Sequence, residues 1–166
     1  MDDWSDFDLT PPLVSATPKR ASAEYEMVTE WLRPKIYPAR KLTIAIDGVE
    51  YSGKSSLARF LAWQLGLPNI ETDFALTFSK EFPSHDSKLV SRLIRARHSQ
   101  DRAVIVEGIL VIETLANIGI SPEILIRVER SGNGRTGSWP GRFREYAEKY
   151  PRSTSPDHLL KWDMER

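Results

Sequence analysis

The sequence contains no cysteine. That excludes disulfides, thiolate metal sites and a cysteine nucleophile. Histidine is scarce, and His85, His98 and His158 lie too far apart to form a ligand-like spacing, which argues against a zinc site. Net charge is also missing: 23 basic and 23 acidic residues cancel, so overall charge does not mark a polyanion binder. No apolar run approaches the roughly 20 residues that a membrane span needs. The opening "MDDWSDFDL" has four aspartates and no base, the opposite of a secretory n-region. A cytoplasmic protein without membrane segments is the default expectation.

What is present points to one globular domain. The chain has 166 residues, 40% of them hydrophobic, enough for one proper core but hardly for two. Residues 1–21 are acidic, then rich in proline, serine and threonine ("TPPLVSATPKR"), and read as a disordered tail. Trp4, Phe7 and Leu9 among the aspartates would suit docking to a protein partner; the simpler reading is a solubilising end. Residues 22–40 read as an N-terminal helix and linker packed on the outside of the core domain. Ser22 is the expected cap, Glu24 and Glu26 fill the first turn, and Tyr25, Val28 and Leu32 form one face. Pro34 is the expected stop.

From Lys41 the texture changes to short apolar runs alternating with amphipathic segments. "KLTIAI", "PNIET", "RAVIVEG" and "EILIRVE" read as buried strands. Helices are predicted over Ser55 to Leu65, with Leu57, Leu61 and Leu65 on one face and Gly66 as the stop. Others are predicted over 87–98, around Leu89, Leu93 and Ile94, and over Ile109 to Ile118. Such alternation predicts an α/β fold: a central parallel sheet of four or five strands in a three-layer α/β/α arrangement. Right-handed crossovers then gather the loops after the strands along one ligand-binding edge. Beyond Ser131, "SGNGRTGSWPGR" is a glycine-rich loop bearing arginines. A helix with Phe143, Tyr146, Ala147 and Tyr150 on one face follows it. "TSPDHLLKWDMER" predicts a last short helix, capped by Ser155 with Pro156 at its first position. No convincing final strand is visible after Tyr150.

The most informative stretch is "GVEYSGKS", Gly48 to Ser55, which fits G-x-x-x-x-G-K-[ST] at every fixed position. A predicted strand runs straight in and a predicted helix straight out. Backbone N–H groups of Gly48, Val49, Glu50, Tyr51, Ser52, Gly53 and Lys54 can then face one concavity. Ser55 and Ser56 open the helix, whose positive end borders that concavity. This P-loop implies ATP, with Lys54 reaching the β/γ oxygens and the Ser55 hydroxyl a ligand for Mg²⁺. Glu50 and Tyr51 occupy variable positions, and their side chains are expected to point away from the nucleotide.

Phosphoryl transfer to an alcohol needs a carboxylate near the hydroxyl and another group to hold Mg²⁺ or its waters. Asp73, in "NIETDFAL", follows the second strand, and Glu107, in "AVIVEGILVIETL", ends the third. Both are expected on the ligand edge, although acids at strand ends also serve as helix caps.

"IAIDGVEYSGKSSLARFLAWQL", "ETDF", "VIVEGILVIETL" and "ILIRVE", in this order, resemble the uridine kinase and nicotinamide riboside kinase group of P-loop kinases. The broader relatives are the nucleoside and nucleoside monophosphate kinases. The resemblance spans roughly residues 41–130. It implies a P-loop NTPase kinase domain over 41–166, with Asp73 as base on the acceptor hydroxyl and Glu107 holding magnesium and its waters. It also implies an arginine-bearing lid over about 131–152, with Arg135, Arg142 and Arg144 closing over the phosphates. Residues 127–152 carry seven basic and three acidic side chains, which fits a lid that neutralises phosphoryl charge.

Arg92, Arg95 and Arg97 read as surface charge or as a grip for an anionic acceptor. The leading expectation is a kinase taking a nucleoside or a similar small molecule. The alternative is a nucleotide-binding regulatory or partner-binding protein with little or no transfer activity. A GTPase is disfavoured by the lack of N-K-x-D and of D-x-x-G after the third strand, and no motif suggests nucleic acid.

Overall fold

A computed structural model of the chain describes residues 23–38, 41–77, 84–131 and 140–163. The tail over 1–21, the Ser22 cap and Arg135 lie outside the described residues. In chain order the elements are α1 (Ala23–Ile36), β1 (Thr43–Asp47), α2 (Lys54–Leu65) and β2 (Asn69–Glu71). A 3₁₀ turn (Thr72–Ala75) leads to β3 (Leu76–Thr77) and β4 (Ser84–His85). Then come α3 (Ser87–His98), β5 (Val104–Gly108), α4 (Val111–Ala116), β6 (Ile124–Ser131) and α5 (Pro140–Lys149). A second 3₁₀ turn (Pro151–Thr154) precedes β7 (His158–Asp163).

Period-two alternation along apolar strands builds two separate cores. Ile44 and Ile46 of β1 join one buried cluster and Ala45 joins the other. On β5, Ile105 faces the first cluster while Val104 and Val106 face the second; on β6, Ile126 and Val128 oppose Leu125. The first cluster is covered by α1 and α2, through Val28, Leu32, Leu57 and Leu61. The second is covered by α3, α4 and α5, through Val90, Ile94, Leu115 and Tyr146. Strands buried on both faces require those two layers.

The five main strands form one parallel sheet in the order β2-β5-β1-β6-β7, and β3 pairs with β4 in a separate antiparallel ribbon. From β1 the chain moves outward to β2, returns to β5, then crosses to β6 on the other side. The segment after β1 sits where that direction reverses, and open α/β sheets bind ligands at such a reversal. No helix among the described residues is long and apolar enough to cross a membrane.

The expected four strands are all present, but the predicted last helix is not. "HLLKWD" is instead β7, paired in parallel with β6 from Ile126↔His158 to Ser131↔Asp163. Leu160 is buried and Leu159 exposed, the alternation of a strand. Asp157, expected inside the helix, instead accepts the Leu125 N–H at 2.7 Å and the Arg152 guanidinium at 2.8 Å. Pairing with β6 therefore outweighs the helix-start signals at Ser155 and Pro156, and supplies the final strand that the sequence hid.

Smaller corrections have local causes. The first helix continues past Pro34 to Ile36 because Leu32 and Ile36 are both core residues. The helix expected from Ile109 starts only at Val111, after Leu110 adopts φ 53°. On α3 the buried pair is Val90 and Ile94, while Leu89 and Leu93 are exposed.

The first helix is no appendage. Leu32 is fully buried beneath α2, and the Trp31 ring lies 4.7 Å from that of His158 on β7. Leu32→Ala is expected to cost about 2–5 kcal/mol. Calorimetry should show Tm falling by roughly 5–15 °C. A shift within 1 °C would show that α1 contributes nothing to the cooperative unit.

Candidate functional site

The loop after β1 is shaped by close approach. A Cβ on Gly48 would lie 2.6 Å from Ser52 Oγ and 2.7 Å from the Val128 carbonyl oxygen, so only glycine fits between the loop and β6. Gly53 turns the chain into α2 at φ 95°, ψ 8°, a conformation that favours glycine. Tyr51 also has positive φ, 59°, at a cost of about 1 kcal/mol for a residue with a Cβ. Its side chain is exposed, as expected for a variable position, and its carbonyl accepts the Arg130 guanidinium at 3.3 Å. Glu50 is half-buried.

The start of α2 has no side-chain cap and no acidic residue in its first turn. By contrast, α3 is capped by Asp86, whose carboxylate accepts the N–H groups of Lys88 and Leu89. The first N–H groups of α2 are thus left for an external anion. Lys54 is buried, and its ammonium donates to the Val49 carbonyl of the same loop at 3.4 Å.

Two carboxylates lie beside this cradle on neighbouring strands. Glu107 is level with Ile46 of β1 on one side and with Glu71 of β2 on the other. Asp73 is exposed in the 3₁₀ turn after β2, between the buried Thr72 and Ala75. Glu107 is itself buried, and neither of its oxygens has a hydrogen-bond partner. Burial is the main reason that its carboxyl is pushed above the ordinary range. The Ser55 side chain and the Lys54 ammonium pull it down, while Asp73 and Glu71 push it up. Ser55 is near enough to favour the anion without meeting hydrogen-bond geometry. Lys54, Ser55 and Asp73 thus all lie near Glu107.

A buried, unpaired carboxylate next to a serine hydroxyl is the donor set of a hard, oxygen-seeking cation. No group of three histidine, aspartate or glutamate side chains among the described residues could hold a metal alone.

The raised carboxyl has a stability consequence. The folded state binds this proton more tightly than the unfolded chain does, so the ionised group lowers stability above the folded pKa. The cost disappears as pH falls to the unfolded value, about 4.3. Glu107→Gln is therefore expected to stabilise the metal-free protein at pH 7 by about 1–2 kcal/mol. The gain in Tm should fade in scans toward pH 4. A variant less stable than its parent at pH 7 would show instead that the fold needs the charge.

The sequence reading missed a buried polar node beneath the loop. Asp47, the last residue of β1, is paired in register with Arg127 of β6, and the guanidinium donates to its carboxylate at 3.2 Å. The Tyr146 hydroxyl of α5 stands near enough to favour the charge on the same carboxylate, and it accepts the Ile112 N–H at 3.2 Å. Burial pushes the Asp47 carboxyl up, with Arg127, the Gly48 N–H, Tyr146 and Lys54 pulling against it. Burial, then the Asp47 charge, also drives the Tyr146 hydroxyl far above its ordinary pKa. One signal was available: a lone acid and a lone base interrupt two otherwise apolar strands, "IAID" and "ILIR".

Two of the arginines expected in a lid, Arg142 and Arg144, are among the described residues. Arg142 of α5 donates to Glu113 of α4 at 2.5 Å and lies 3.6 Å from Glu145. Arg144 is exposed on the same helix, and Arg135 is outside the described residues. Arg92 and Arg95 line a groove between α3 and the end of α4, whereas Arg97 is exposed elsewhere on α3.

The fold resembles that of solved structures. A possible uridine kinase from Bacillus stearothermophilus superposes with a TM-score of 0.58, covering 83% of this chain and 97% of its own, at 13% identity. The chain has a P-loop kinase-like fold. A sugar kinase from Janibacter sp. HTCC2649 matches less well, with a TM-score of 0.45 and 16% identity over 76% of this chain and 86% of its own. No protein-family model and no curated protein matches the sequence. At these identities the likeness speaks for the fold alone.

Proposed function

We propose that this protein is a small-molecule kinase that transfers the γ-phosphoryl group of ATP to a hydroxyl. The observation that carries the reading is the uncapped P-loop helix facing two carboxylates, one exposed and one buried without a partner. Backbone N–H groups from Gly48 to Ser56 would hold the phosphates, and Lys54 would exchange the Val49 carbonyl for a phosphate oxygen. Ser55 and Glu107 would hold Mg²⁺, which supplies charge neutralisation on the phosphates.

Asp73, open to solvent, would accept the proton of the acceptor hydroxyl. The hydroxyl oxygen then bonds to the γ-phosphorus while the bond from that phosphorus to the bridging oxygen breaks and ADP leaves. Arg142 and Arg135 would add positive charge over the transferring group. A nucleoside or similar metabolite fits the resemblance of the motifs, and a cytoplasmic setting remains part of the proposal.

One observation favours a second reading, a nucleotide-binding regulatory protein without transfer: Arg142 is held by Glu113. A thermal-shift panel of nucleosides, sugars and vitamins with Mg²⁺ and a non-hydrolysable ATP analogue separates the two, with a transfer assay on each hit. Stabilisation by the analogue with product from at least one acceptor is expected. Analogue binding without product from any acceptor would select the regulatory reading, and no analogue binding would sink both.

A further inference from the structure

Helix α3 carries cations that the protein itself does not neutralise. Lys88, Arg92, Arg95 and Arg97 make no ion pair or side-chain hydrogen bond among the described residues, and the helix contains no acidic residue. Several arginines elsewhere are paired: Arg59 with Glu71, Arg127 with Asp47, Arg142 with Glu113 and Arg152 with Asp157. Arg95 and Arg97 lie in the last turn of α3, where the helix dipole favours a cation. Lys88 has no such excuse. It sits in the first turn, where the dipole opposes it, and one turn before Arg92, a like-charge pair that further disfavours the helix.

Three of these cations converge on one concavity. Lys88, Arg92 and Arg95 line an open groove of about 510 Å³ together with Ser87, Ser91, Asn117 and Ile118. Among the described residues, no carboxylate lines it. Serine hydroxyls and an asparagine amide add neutral donors, and the volume suits a metabolite rather than a single ion. A backbone contact links the start of α3 to the turn that carries Asp73: the Asp86 N–H, next to Ser87, donates to the Ala75 carbonyl at 2.6 Å, two residues beyond Asp73.

We propose that this groove seats an anionic group of the acceptor, so that the substrate is a phosphorylated or carboxylate-bearing alcohol rather than a neutral one. The inference rests on the kinase reading and narrows it. The acceptor hydroxyl would lie at Asp73 and its anionic end along α3, gripped by Lys88, Arg92 and Arg95. Arginine forks suit phosphate and carboxylate oxygens alike.

The test uses matched acceptors that differ by one anionic group: ribose against ribose 5-phosphate, and glycerol against glycerate. Steady-state transfer from ATP·Mg²⁺ by the full chain is expected to favour the charged member of one pair at least tenfold in kcat/KM. Which pair responds tells phosphate from carboxylate. The exposed double variant Arg92→Glu/Arg95→Glu should raise KM for that member at least tenfold. Its kcat and its affinity for a non-hydrolysable ATP analogue should stay within threefold of the parent.

Calorimetric titration of the same compounds in the presence of that analogue gives a readout independent of turnover. Transfer to the neutral members alone, or equal KM in parent and variant, would leave a kinase but overturn the groove's role. Ribose 5-phosphate binding that the variant loses, without transfer to any acceptor, would overturn the kinase reading and keep the groove as an anion site. Failure of the parent to bind any charged probe overturns the groove outright.

Discussion

Asp73→Asn is expected to reduce kcat by about 10²–10⁴-fold, the usual contribution of a positioned proton acceptor. The affinity of the ATP analogue should change by less than about twofold, because Asp73 lies outside the Gly48–Ser55 cradle. The asparagine matches the carboxylate in shape but cannot take the proton. The backbone that presents it stays fixed, since Thr72 and Ala75 on either side are buried. Asp73 itself is exposed and makes no described ion pair, so stability should stay within about 0.5 kcal/mol of the parent.

A second effect makes the result hard to confuse with metal loss. The Asp73 charge pushes the Glu107 carboxyl up. Removing it makes Glu107 easier to ionise, so the variant should bind Mg²⁺ no more weakly. Parent and variant with equal single-turnover rates would remove Asp73 from the chemistry.

Asp47→Ala should destabilise the fold strongly. It strips the acceptor from Arg127 and removes the charge that the Gly48 N–H and the Tyr146 hydroxyl favour. Breaking a buried pair typically costs 3–5 kcal/mol because the partner charge is left uncompensated. Arg127 keeps Glu129 at 3.1 Å and the Ser153 carbonyl at 3.1 Å, so a value near 3 kcal/mol is expected here. At roughly 2–4 °C per kcal/mol, Tm should fall by about 6–12 °C. Adding Arg127→Met removes the stranded charge and should recover part of the loss, a coupling that a double-mutant cycle measures. Strict additivity of the two changes would mean that the pair does not act as a unit.

The phosphate loop was legible because its information is local. Glycines, lysine, the strand before and the helix after lie within one short stretch, and each supports the others. The carboxylates were legible one step further out, since parallel α/β connectivity brings Asp73 and Glu107 to the same edge. β7 was not, because "HLLKWD" becomes a strand only by meeting β6, and the caps before it argue locally for a helix. The Asp47–Arg127 pair was hidden for a related reason: it needs the β1–β6 register, which links positions far apart in the chain. On α3 the apolar residues were visible but not which of them face the sheet. Val90 and Ile94 win because the 3.6-residue period stacks them on one side, leaving Leu89 and Leu93 at the flank.

The parallel sheet also sets the order in which the molecule can assemble. β1 lies at the centre, yet Ile44 has its partners in Ile105 and Ile124, both far downstream. No hairpin joins any two of the five main strands, so each pairing must wait for a long loop to close, and such topologies fold slowly. On the ribosome the apolar run Ile44 to Ile46 is made early and stays without its neighbours until β5 and β6 emerge. The strand that carries the phosphate loop is therefore the one most exposed to wrong pairing while the chain is being made.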